Sequence, residues 1–182
     1  MEKNVTYIAL FAALIAALGL IPKITLGFGV AITAQSLGIM LCGTILGAKR
    51  GALAVLLFLL LVAIGLPLLS GGRGGLGLFV GASSGFLFGW VAAAFVTGLI
   101  VEKWRKGSIA VVSGIASAIG GIVVLYFFGI IGMSIVLEKT LMESAALVTI
   151  FIPGDIIKCI IAGLLTSAIA KARPASLLSR TA

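Results

Sequence analysis

The sequence contains no histidine, only five acidic residues and only two cysteines. Without histidine the chain lacks a common zinc and haem ligand and the most frequent general base. Cys42 and Cys159 lie far apart inside apolar runs and lack metal-ligand spacing, so each reads as a small buried hydrophobe. Neither a metal nor any other cofactor is expected. No Gly-rich phosphate loop of the Walker type occurs, so any ATP hydrolysis that serves this protein falls to another chain. Charge is also scarce: 10% of the residues are charged, against about a quarter in a soluble domain. Such a chain cannot cover a water-facing surface with polar groups.

What fills the sequence is apolar. Of 182 residues, 62% are hydrophobic, and the mean hydropathy is +1.35. A bilayer is the natural solvent. At roughly 20 residues per spanning helix the chain holds about six spans, with no room for a sizeable soluble domain. The expectation is an all-α, polytopic membrane protein with one domain over residues 1–182. The net charge of +8 would suggest nucleic acid in a soluble protein. Here the basic residues lie between apolar runs with no basic-aromatic pattern, so no nucleic acid is expected as a partner.

Apolar runs cover about residues 5–21, 30–48, 52–66, 78–101, 108–131 and 145–172. The first ends at Pro22 with no clear small-residue cleavage site and is read as a retained helix. Residues 23–29 form a short loop, and Lys49-Arg50-Gly51 reads as a tight polar turn. Five glycines between Gly71 and Gly77 exclude a helix there. Glu102 to Gly107 is a charged turn with an interfacial Trp104, and 132–144 is a longer connection. With both ends cytoplasmic, the inner segments hold nine basic residues: Lys3, Lys49, Arg50, Lys103, Arg105, Lys106, Lys171, Arg173 and Arg180. The outer ones hold Lys23, Arg73 and Lys139. That asymmetry satisfies the positive-inside rule.

The remaining basic residue, Lys158, falls inside a span, three positions after Asp155 in Pro153-Gly154-Asp155-Ile156-Ile157-Lys158. That spacing puts the two on one helix face. Ionisable groups in a span are costly and usually face a cavity or a partner. Pro153 suits the first turn of a helical segment, where the dipole favours the Asp155 carboxylate. The pair either anchors the helix end by itself or lines a pocket. In a pocket, Asp155 accepts from ligand N–H groups and Lys158 donates to a carbonyl or carboxylate.

In Ser70-Gly71-Gly72-Arg73-Gly74-Gly75, Gly72, Gly74 and Gly75 allow the backbone to approach a ligand closely. Arg73 is the loop's only charge and suits a carboxylate. The plain alternative is a surface loop with an incidental arginine. Gln35 and Ser36, early in the second run, need a protein partner or a ligand in lipid. Tyr126, late in the fifth run, lines a pocket or anchors at the interface. Ser83 and Ser84 read as packing residues. In the first run Ala9, Ala13 and Ala17 recur every four residues, as do Ala12 and Ala16. Such spacing allows close helix contact, within the chain or with a partner.

Thr33-Ala34-Gln35-Ser36-Leu37-Gly38, Leu46-Gly47-Ala48-Lys49-Arg50-Gly51, Gly65-Leu66-Pro67 running into the glycine loop, and Pro153-Gly154-Asp155-Ile156-Ile157-Lys158 together resemble the BioY family. That family comprises the biotin-specific S components of energy-coupling factor transporters. The resemblance covers nearly the whole chain, in order. It implies a six-helix fold that captures biotin from outside, with a membrane T component and two ATPase subunits as partners, in a bacterial plasma membrane. It also implies Asp155 and Lys158 at biotin, Arg73 and its glycines in a closing loop, Gln35 in the pocket wall, and Ala9, Ala13 and Ala17 as the T-component face. A homo-oligomer is a further assembly the sequence allows. Two alternatives stand beside this reading: an S component for another vitamin, and an intramembrane enzyme. The enzyme reading is poorly served, because no histidine is available and Asp155 is the only acid within a span, leaving no catalytic residue to name.

Overall fold

The computed structural model describes residues 2–27 and 29–181. Met1, Phe28 and Ala182, which belong to the single domain expected over 1–182, lie outside the described residues. Among the described residues six main helical runs follow one another, with short helical turns at Leu76–Phe79, Pro174–Ser176 and Leu178–Thr181 besides. α1 is Glu2–Leu18. α2, Gln35–Leu41, continues through the π turn Cys42–Leu46. α3 is Ala48–Ala63 and α4 is Ser84–Lys103. α5, Ile109–Ala118, passes through the π turns Ile119–Val124 into α6, Leu125–Val136. α7, Leu141–Val148, passes through a 3₁₀ turn into α8, Ile152–Ala172. Among the described residues three runs are long and apolar enough to cross a membrane by length and composition: α4, α5–α6 and α7–α8.

The side-chain distribution suits lipid. Leu53, Leu56 and Leu60 on α3 and Ile156, Ile157, Ile160 and Leu164 on α8 are exposed. The hydroxyls of Thr44, Thr97 and Thr166 are buried and bonded within the bundle. Helix α4 is the hub, packed against α3, α6 and both π segments, while α5 packs on α8. In lipid there is little hydrophobic drive between helices, so close van der Waals contact must supply it. Small residues permit that contact. Gly43 lies against the Ala94 carbonyl and Thr97, Gly120 against the Ala93 carbonyl and Thr97, and Gly98 against Gly47 and Ala48.

The two ends of the bundle differ. At one end Gly47, with φ of 87°, reverses the chain alone, and Lys49, Arg50 and Gly51 belong to the first turn of α3. The polar turn expected over those three residues is therefore displaced. The reason is Glu102, whose carboxylate on α4 accepts the Ala48 N–H at 2.9 Å and satisfies the open helix start. The C-terminal tail closes over this end: Arg50 donates to the Leu178 carbonyl, Arg105 to the Arg180 carbonyl, and Ser179 to the Thr44 carbonyl.

The opposite end is built from loops. Ile24–Thr25 (β1) pairs antiparallel with Ala31–Ile32 (β2), a small hairpin in a stretch expected to be loop and helix. The second helix thus starts at Gln35, not near residue 30. The segment after α3 folds back on itself through an isolated pairing of Leu69 with Arg73, with Gly71 and Gly72 at positive φ. Residues 132–136, expected as connection, extend α6, and only 137–140 link it to α7. There Thr140 and Glu143 form a reciprocal capping box.

Candidate functional site

A half-open cavity of about 70 Å³ lies between the loop end and the bundle. Three local features shape it. Pro153 has no N–H and clashes with a preceding carbonyl, so the helical ladder tightens to 3₁₀ over Thr149–Phe151 just before α8. Asp155 then falls in the first turn of α8. The π turns Ile119–Val124 bring Tyr126 to the start of α6. Because α2 is short, the extended segment before it forms part of the wall, with Val30, Ile32 and Thr33 on the cavity.

The polar floor is one connected cluster. Lys158 Nζ lies 2.8 Å from Asp155 Oδ1 and donates to Ser36 Oγ at 2.9 Å. Tyr126 donates its hydroxyl to Asp155 Oδ2 at 2.7 Å. Ser36 makes a longer contact with Asp155 Oδ1 at 3.5 Å. Asp155 is only 5% exposed. A buried carboxylate needs both a counter-charge and hydrogen bonds, and this one has Lys158, Tyr126 and Ser36. The four residues come from α2, α6 and α8, far apart in sequence.

Above this floor the walls are apolar. Phe86 and Phe151 have ring centres 6.0 Å apart, and Trp90 is backed by Phe58 at 6.2 Å. Leu69, Leu87 and Leu125 complete the lining. Arg73 reaches the lining from the glycine loop. Its Nε donates to the Ser70 carbonyl at 3.3 Å. Counting Asp155, Lys158 and Arg73, the cavity carries one net positive charge, which complements a monoanion.

The expected site residues divide into three groups. Asp155, Lys158, Arg73, Gln35 and Tyr126 all line the cavity. Gln35, however, has both amide N–H groups committed to the backbone, to the Ile15 and Leu68 carbonyls. Gly72, Gly74 and Gly75 are not in the cavity wall. Gly72 and Gly75 have positive φ, and a side chain on Gly74 would collide with the Leu66 carbonyl, so these glycines shape the loop that carries Arg73. Ala9, Ala13 and Ala17 form an exposed line on α1, while Ala12 is buried. Ser83, read as a packing residue, lines the cavity, whereas Ser84 is buried. Sequence reasoning missed Phe86, Trp90 and Phe151. The four-residue spacing of Phe86 and Trp90 was a signal, but a faint one in so apolar a chain.

A predominantly helical bundle with exposed apolar faces, a half-enclosed cavity, one polar floor and an arginine-bearing loop has the form of a ligand-capturing membrane protein. The family model described as "BioY family" matches residues 2–175. The chain is 54% identical to the biotin transporter BioY of Rhodobacter capsulatus, over 99% of this chain and all of that protein. It is 39% identical to the probable biotin transporter BioY of Bacillus subtilis, over 93% of this chain and 91% of that one. Its fold is similar to the crystal structure of the S-component for biotin from an ECF-type ABC transporter. That similarity has a TM-score of 0.88 and 35% identity, covering 93% of this chain and 92% of the other. The chain belongs to the BioY family.

Proposed function

We propose that this chain is the biotin-binding S component of an energy-coupling factor transporter in a bacterial plasma membrane. The observation that carries the reading is the cavity: a bonded Asp155–Lys158–Tyr126–Ser36 floor beneath aromatic walls, with Arg73 at the loop. Biotin has matching parts. Its ureido ring offers two N–H donors and a carbonyl, its thiolane ring is apolar, and its valerate tail ends in a carboxylate. Asp155 accepts from the ureido N–H groups, and Trp90, Phe86 and Phe151 flank the fused rings.

The carboxylate goes to Arg73. Lys158 already donates to Asp155 and Ser36, whereas the Arg73 guanidinium donates to the described residues through Nε alone. Its two terminal nitrogens suit the bidentate geometry that guanidinium prefers. Nothing here turns over the ligand; the site binds and releases.

In this reading the chain crosses the membrane six times with both ends in the cytoplasm. The end with Lys49, Arg50, Lys103, Arg105 and Arg180 is the inner one, and the cavity opens outward. The exposed Ala9, Ala13 and Ala17 line docks on a T component, which links the chain to two ATPase subunits. Small residues in that line allow a partner helix to approach closely.

Uptake tests this. Bacteria that need biotin and lack their own biotin transport should accumulate labelled biotin when this chain is expressed with T and ATPase subunits. Accumulation no greater than in cells carrying an empty vector would reject the biotin assignment. Uptake of riboflavin or thiamine in place of biotin would reassign the vitamin.

A further inference from the structure

Gln35 is fully buried, 0% exposed, at the first position of α2. Its Nε2 donates to the Ile15 carbonyl on α1 at 3.1 Å and to the Leu68 carbonyl at 3.0 Å. Its Oε1 accepts the Ser70 backbone N–H at 3.0 Å. One side chain therefore bonds to α1 and to two points of the loop that leads to Arg73. Ser70 then donates its hydroxyl to the Ile21 carbonyl and accepts Arg73 Nε at its own carbonyl. The loop closes on itself through the paired backbones of Leu69 and Arg73. Next to Gln35, Ser36 accepts from Lys158. Two consecutive residues of α2 thus hold the ligand floor and the loop.

From this geometry we infer that Gln35 is a positioning residue: its amide latches residues 68–73 to α1 and α2 and so sets Arg73 at the cavity. The inference rests on the biotin-capture reading for its ligand, but the latch itself belongs to the unliganded protein. Gln35 is the only glutamine in the chain, the one other amide side chain, Asn4, is exposed near the start of α1, and two of the three bonds go to loop backbone groups, the Leu68 carbonyl and the Ser70 N–H, that are otherwise hard to satisfy away from water. Gly19 leaves the space: a methyl group there would sit 2.5 Å from the Leu68 carbonyl oxygen and 2.9 Å from Gln35 Nε2.

A natural reporter lies in the loop. Trypsin cleaves after lysine and arginine, so cutting between Arg73 and Gly74 reads loop opening, and cutting between Lys106 and Gly107 at the opposite end reads general integrity. Gln35→Leu removes all three bonds. Gly19→Ala wedges Leu68 from Gln35 without altering either residue. In nanodiscs without ligand, both variants should be cut after Arg73 about tenfold faster than the original chain, as expected for losing a buried polar tether. Cutting after Lys106 should stay the same. With labelled biotin, dissociation should quicken about tenfold while association changes less.

Unchanged cutting after Arg73 in both variants overturns the latch. If Gln35→Leu also quickens cutting after Lys106, it has lost the fold, and Gly19→Ala decides alone. If the original chain binds no biotin, the functional reading fails, and the ligand-free cleavage still decides the latch.

Discussion

Lys158 Nζ and Asp155 Oδ1 lie 2.8 Å apart, one helical turn from each other on α8, with Asp155 bonded on its other oxygen by Tyr126. The pair is mostly buried, so each charge depends on the other. Removing one partner leaves an uncompensated charge and should destabilise the protein by about 3–5 kcal/mol. Asp155→Asn and Lys158→Ala should each lower the unfolding midpoint, whereas the double variant Asp155→Asn/Lys158→Met should regain most of that loss. A double variant as unstable as the sum of the singles would contradict a mutually dependent pair.

Arg73 should distinguish the two ends of the ligand. The original chain is expected to favour biotin over its uncharged amide, and Arg73→Ala should bind both alike. The loss for biotin should be about 2–4 kcal/mol, the range for breaking a charge pair that is partly desolvated. Competition binding with the two compounds measures it. Retained preference for the acid in Arg73→Ala would move the carboxylate to Lys158.

The two tryptophans occupy different settings. Trp90 lines the cavity and is 7% exposed, whereas Trp104 follows α4 and is 42% exposed. Ligand binding should therefore alter emission from Trp90 alone. The change on adding biotin should persist in Trp104→Phe and vanish in Trp90→Phe, as read by fluorescence titration. A signal lost with Trp104 instead would place the ligand elsewhere.

The bundle relies on backbone contact at α4. A methyl group on Gly98 would collide with Gly47 and the Ala48 N–H. Gly98→Ala should cost about 1–3 kcal/mol through overpacking, visible as a lower unfolding midpoint in detergent. Gly154→Ala is the control, because nothing lies near that position.

The α1 alanine line makes a separable prediction. Ala13→Leu adds bulk on an exposed face and should leave biotin affinity unchanged. Co-purification with T and ATPase subunits should fall, because a close helix contact is blocked. Full recovery of the complex with Ala13→Leu would remove that face from the partner interface.

Much of the site was legible because charge stands out in an apolar chain. Asp155 and Lys158 could be placed together from their spacing alone, and Arg73 was conspicuous among glycines. The aromatic wall was not, since Phe86, Trp90 and Phe151 look like any lipid-facing residues until the bundle turns them inward. Gln35 was ambiguous in principle: a buried amide serves a ligand or the backbone equally well in one dimension, and only the fold shows which carbonyls it meets. The turn at Gly47 was hidden by Lys49 and Arg50, because the group that lets the helix begin early is Glu102, distant in sequence. The π turns leave no composition signal, and the hairpin of β1 and β2 is too short to show alternation.

The most direct measurement is a calorimetric titration of the purified, ligand-depleted chain in nanodiscs with biotin, using riboflavin and thiamine as controls. Saturable binding to biotin alone is predicted, weakened at least tenfold by Asp155→Asn through loss of the charged acceptor. A folded protein that takes up no heat from biotin, or binds it equally well with Asp155→Asn, would contradict the assignment of this cavity as the biotin site.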